Sequence, residues 1–211
     1  MTDTLSPDEI EALFTRSDGT FLCARWGRPI VPVVFGVDDR TLGIFKGAIE
    51  AVVTLAGHKM AETDPELGAN LMVFFVRDWT ELTETPNLDR MIPDLAPLVH
   101  RLQATGANQY RVFRFDEAGG IKACFVFLRL DEVLAAMEAE TLALGQAVQS
   151  LLLWSDKAFT QRSALAQMPD GKVLLRPEIG TLIRAAHDPV LPGCADDPAH
   201  ALRLHARMHI L

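Results

Sequence analysis

Along the chain, apolar positions alternate between the three-to-four spacing of helices and the two-residue or continuous spacing of strands. Ser6-Pro7-Asp8-Glu9 predicts a helix start, with Ser6 as cap, Pro7 in the first turn and Glu9 completing a capping box; a short helix through Phe14 follows. Asp18-Gly19 turns the chain into Phe21–Trp26. Arg28–Phe35 is then rich in β-branched residues, but its two prolines assign it to a sheet edge. Between Thr41 and Ala56 the residues Leu42, Phe45, Ile49, Val52 and Ala56 recur at helical spacing, and Gly57 stands at the carboxyl cap. Ala69–Val76 reads as a buried strand. Leu95, Leu98, Val99 and Leu102 mark a further helix ending near Gly106.

Gln109–Asp116 and Ile121–Arg129 flank Glu117-Ala118-Gly119-Gly120, which predicts a hairpin. Asp131 is placed to cap a helix whose stripe, Val133, Leu134, Met137, Thr141 and Leu144, runs to Gly145. Ala147–Trp154 fits either a second helix or a packed turn. Pro169-Asp170-Gly171 is a turn, Pro177 opens a helix to about His187, and Asp197-Pro198 starts the last one. The expected class is α+β: a twisted mixed sheet with an edge hairpin, packed by helices. A single domain over 1–211 is expected, comprising an N-terminal helix and turn (1–20), a sheet-and-helix core (21–145) and a mainly helical C-terminal part (146–211).

With 211 residues, 49% of them hydrophobic and 23% charged, the chain can bury one substantial core. A formal net charge of −8 removes generic attraction to phosphate backbones, so nucleic acid is not expected as a partner. The start, Met1 to Glu9, has neither a basic region nor an apolar stretch, and the apolar runs Leu71–Val76 and Ile121–Leu130 are too short for a membrane span; a soluble, cytoplasmic chain is expected. Cys23, Cys124 and Cys194 form no Cys-x-x-Cys pair and read as reduced thiols. Cys124, inside an apolar strand, reads as core. Cys23, near Arg25, and Cys194, in a loop, are the more reactive candidates, though neither is paired with a base.

Arg25-Trp26-Gly27-Arg28-Pro29-Ile30-Val31, Ala69-Asn70-Leu71-Met72-Val73-Phe74-Phe75, Ala143-Leu144-Gly145, Leu175–Arg184 and His187–Gly193 together resemble a family of proteobacterial proteins of unknown function. Many of its members are predicted lipoproteins, and their layout is similar to that of zincin metallopeptidases. The resemblance spans roughly residues 20 to 210. It implies a zincin-like fold whose central helix is a degenerate metal helix. In the full pattern His-Glu-x-x-His-x-x-Gly, two imidazoles one turn apart hold zinc and the glutamate polarises its water. Here those three positions read Glu138, Ala139 and Leu142, ahead of Gly145.

The resemblance therefore implies a catalytically inactive, zincin-like bacterial domain, without cofactor, kept for binding or scaffolding, with a polypeptide as the expected partner. The candidates for that contact are Arg25, Trp26 and Arg28 at the entry to the edge strand, although covering the sheet edge explains them better. A first alternative is a metal-dependent hydrolase with an atypical site built on Glu138 and Asp156 plus one histidine. Against it, Glu138 and Glu140 diverge on a helix, and Asp156 serves as an Asx turn. A second is a homo-oligomeric structural protein, the oligomeric state being open. His205 and His209, four apart, form a possible metal pair if a third group approaches; complementing a helix dipole at the chain end explains them as well. His58 and His187 read as cap neighbours and His100 as exposed. There is no Gly-x-Ser-x-Gly elbow, phosphate loop or dinucleotide fingerprint.

Overall fold

The computed structural model describes residues 4–210; residues 1–3 of the amino-terminal segment read above, and 211, lie outside the described residues. The elements run α1 (Pro7–Phe14), β1 (Cys23–Ala24), β2 (Pro32–Phe35), α2 (Asp39–Leu55), β3 (Leu71–Val76), α3 (Glu81–Glu84), α4 (Leu88–Met91) and α5 (Leu95–Ala104). They continue with β4 (Gln109–Phe115), β5 (Ile121–Arg129), α6 (Glu132–Ala135), α7 (Ala139–Leu151), β6 (Leu165–Gln167), β7 (Val173–Leu175), α8 (Pro177–Ala186), β8 (Cys194–Ala195) and α9 (His200–Met208).

The main sheet has the order β2-β3-β5-β4: β2, β3 and β5 are parallel, and β4 pairs antiparallel with β5 at the edge. Two-residue alternation sorts β3 between two cores. Leu71, Val73 and Phe75 join the core under α1, α2, α7, α8 and α9, whereas Met72, Phe74 and Val76 join the one under α3, α4 and α5. With helices on both faces, the inner strands are buried on both sides and read as continuous apolar runs.

Several local expectations are met with their chemistry intact. The Ser6 hydroxyl accepts from the Glu9 N–H while the Glu9 carboxylate accepts from the Ser6 N–H, so α1 has a full capping box. Asp38 caps α2 through the Thr41 N–H, and Gly57 follows that helix at φ 67°, the left-handed conformation that ends helices most cheaply in glycine. The hairpin β4–β5 forms where its turn predicts, with a bulge at Arg114/Phe115. At the end of β2, Gly36 adopts φ 81°, and a Cβ there would stand 2.3 Å from the Phe75 carbonyl oxygen. That close approach admits only glycine.

Four expectations need correction. The helix foreseen over 131–145 is two pieces: α6 stops after one turn, Glu138 is extended, and α7 begins at Ala139 and runs through Gly145 to Leu151. Val133 and Met137, assigned to the inward stripe, are exposed; the buried face is Leu142, Ala143, Gln146, Ala147 and Ser150. The C-terminal part is not mainly helical: β6 and β7 form a hairpin around the Pro169–Gly171 turn, and β8, between α8 and α9, crosses back to pair with β1. Finally, Trp26 is fully buried rather than lying over a sheet edge.

Trp26 also explains how α7 ends. The last carbonyls of a helix lack intrahelical partners. Here the Trp26 indole N–H donates to the Ser150 carbonyl at 2.8 Å and the Trp154 indole N–H to the Val148 carbonyl at 3.0 Å. Two indoles thus do the work assigned to Gly145. No helix among the described residues is long and apolar enough to cross a membrane.

Candidate functional site

β4 carries the most informative side chain. Its residues 109, 111, 113 and 115 face the larger core, where Phe113 packs, while Tyr110 and Val112 pack on the other face. Arg111 therefore points its cation toward α7. Its guanidinium donates to the Gln109 side-chain oxygen at 3.3 Å and to that of Gln146, whose own amide donates to Gln109 at 3.2 Å. Gln146 is only 4% exposed, so a buried amide holds the guanidinium in place. Although Arg111 keeps some exposure, its Nε is sealed and has no hydrogen-bond partner among the described residues. Burial pulls its pKa down to about 10, and no carboxylate stands close enough to offset that. The group remains a cation at neutral pH, held by neutral partners.

Arg111 lines a cavity of about 570 Å³ with Arg16, Gln149, Phe113, Trp154 and Phe159. Phe159 has φ 63°, a strained conformation for a bulky side chain. The same lining includes Asp18 and Asp156, already engaged: Asp156 accepts from the Ser17 hydroxyl and backbone N–H, and Asp18 from the Thr20 N–H. Those bonds hold both carboxyl groups below their ordinary values.

The outer edge of β4 opens on the same cavity. The Cys124 N–H donates to Asn70 and the Leu130 N–H to Val76, toward β3; the Arg129 N–H donates to Asn108, toward β4. Odd-numbered residues of β5 thus face β4, and by antiparallel register they meet Tyr110, Val112 and Arg114. The main-chain groups of Gln109, Arg111 and Phe113 consequently point outward, unused by the sheet. At the opposite edge, the 58–70 segment occupies the approach to β2: Ile30 donates to Lys59, and Ala61 donates to Ile30.

The residues singled out in the sequence fall elsewhere. Trp26 is buried, Arg28 is paired with Asp64 and Glu66 at 3.3 Å each, and Arg25 donates to the Leu191 carbonyl while its Nε is sealed with no hydrogen-bond partner among the described residues. They do not form an open groove. Glu138 stands at the N-cap position of α7 without a side-chain capping bond, and Asp156 lies beyond the helix end, about 20 Å apart by helix rise. They line separate cavities, so no joint acid site is assembled. Leu142, compared above with the second histidine of the metal-helix pattern, is buried in the core. Among the described residues no three His, Cys, Asp or Glu side chains stand together as a metal cluster. Cys23 is buried and its thiol pushed up by burial and by Cys194; Cys124 is pushed up to about 12; Cys194 is raised by burial and by Asp196 and Asp116. None is an activated nucleophile.

His187 does more than neighbour a cap. It is 8% exposed and packs 5.4 Å from the His58 ring. A carbonyl only accepts, so His187 Nδ1 carries the proton donated to Ile183 O, leaving Nε2 bare, buried and without a hydrogen-bond partner among the described residues. Comparison with protein-family models, curated proteins and solved structures gives no match.

Proposed function

We propose that the protein is a non-catalytic, zincin-like binding module that accepts an extended acidic polypeptide segment along the free edge of β4. The observation that carries this reading is Arg111: a cation held by neutral amides beside main-chain groups that the sheet leaves unused. An added strand would lie 4.7–4.9 Å from β4 and exchange hydrogen bonds with Arg111 and Phe113. The side chain opposite Arg111 shares its face, so an Asp or Glu there meets the guanidinium; an apolar side chain two residues away meets Phe113. The zincin-like part of the reading is supported by the order of the outer antiparallel strand, β5 and then α7 on the same sheet face. Leu142 and Ala139 favour binding over hydrolysis, because neither offers a lone pair to a metal or a water.

The test is titration of the protein with short labelled peptides carrying that acid–x–apolar pattern. Changing the acid to its amide, or Arg111 to Met, is expected to weaken binding on the order of 10- to 100-fold, the span of a lost charged hydrogen bond. N-methylation of the peptide amides facing β4 is expected to abolish it. Arg111→Met removes the donor to the buried Gln146 oxygen, so the free variant is expected to be less stable by about 1–3 kcal/mol, and thermal unfolding of the free chain checks that it stays folded during the titration. Peptide affinity unchanged by Arg111→Met would overturn the reading.

A further inference from the structure

We infer that His205 and His209, at the end of α9, form a two-imidazole site for a zinc ion that locks the amino-terminal segment to the last helix. The two side chains lie one turn apart on one face, and their Nε2 atoms are 3.3 Å apart. Two nitrogens bound to one zinc at 2.0–2.1 Å with a tetrahedral angle stand about 3.3–3.4 Å apart. The same separation is long for a hydrogen bond, which prefers roughly 2.7–3.2 Å. The spacing therefore accommodates a shared ion in place of the direct ring–ring contact.

The protonation pattern points the same way. His205 Nδ1 is 2.9 Å from the Leu5 carbonyl, which only accepts, so Nδ1 donates and Nε2 is the ring nitrogen turned toward His209. A ring nitrogen donating to a backbone carbonyl is the arrangement that orients zinc-bound histidines. The neighbouring cation is neutralised: Arg207 donates through Nε to the Asp188 carboxylate at 2.8 Å. The carboxyl end of a helix and a chain with net charge −8 both favour a cation. Two solvent molecules would complete the tetrahedron, and nitrogen donors select zinc over magnesium or calcium. Because Leu5 is itself a core residue ahead of α1, the ion would fix α1 against α9 through His205.

The test uses the untagged full-length chain and zinc chloride, followed by calorimetry and thermal unfolding. One saturable binding event per chain and an upward shift of Tm with zinc are expected, with no shift from magnesium. His205→Ala and His209→Ala should each weaken uptake about tenfold or more. His209 is exposed, so His209→Ala should leave the Tm of the metal-free chain unchanged, which separates loss of a ligand from loss of fold. Absence of saturable zinc uptake, or wild-type uptake by His209→Ala, would overturn the site. Neither result bears on the β4 reading.

Discussion

Replacing Trp26 with alanine is expected to remove about 3–5 kcal/mol of stability, the range for deleting a large buried aromatic. For a chain of this size that corresponds to a Tm lower by on the order of 10 °C. Trp26 has no exposed surface, and it lies where β1, β5 and the end of α7 meet. Its loss opens a cavity and also strands the Ser150 carbonyl, a helix-end acceptor with no other partner in its own helix. Trp26→Phe separates the two effects: most of the packing is kept, and about 1–3 kcal/mol is lost for the unsatisfied carbonyl. Urea unfolding with an unchanged slope measures both. A Trp26→Ala cost under about 1 kcal/mol would mean that the residue is not sealed in the core.

Acidification from pH 7 toward pH 4 should destabilise the protein by about 3 kcal/mol through His187 alone. Burial lowers its pKa from 6.5 to about 4, with the nearby His58 and Arg25 adding in the same direction. A histidine whose folded pKa is depressed is held neutral by the fold. Its contribution is fully present above about pH 6.5 and is lost as pH falls toward 4, because the unfolded chain takes up the proton first. His58 and His200 are lowered too, so they steepen the same limb. His187→Leu removes the group that must be kept neutral. The stability of wild type relative to this variant should therefore fall with acidification by about 3 kcal/mol, a comparison that cancels the carboxylates common to both. A constant difference across pH 7 to 4.5 would exclude a buried neutral His187.

Features governed by near neighbours were legible in the sequence. The α1 capping box, the Gly57 stop, the buried strand β3 and the hairpin around Glu117–Gly120 each rest on side chains within a few positions of the backbone they control. α7 was misphased because Leu142 to Leu153 is apolar almost all round, so spacing alone does not say which face is buried. Its end was misplaced because the capping donors, Trp26 and Trp154, are indoles rather than a glycine, and one of them comes from far back in the chain. The β1–β8 pairing joins Cys23 to Ala195, and no local pattern announces it. Arg111 did leave a trace: it stands two residues from Phe113, so a cation falls in the same strand phase as a core aromatic. Arg114, in the opposite phase, masks that signal. The contact that matters most, with Gln146 on α7, depends on how the helix crosses the sheet.

The three indoles are divided between the two faces of the sheet, and that division makes the chain its own optical probe. Trp154 lines the Arg111 cavity, stacks on Phe14 at 5.2 Å and meets Phe159 edge-on at 4.9 Å. Trp79 lies across the sheet in the other core, its N–H held by the Ala107 carbonyl. A molecule entering the cavity changes the polarity around Trp154 while Trp79 keeps its surroundings. Trp154→Phe and Trp79→Phe chains therefore resolve, by emission alone, on which face of the sheet a ligand has settled.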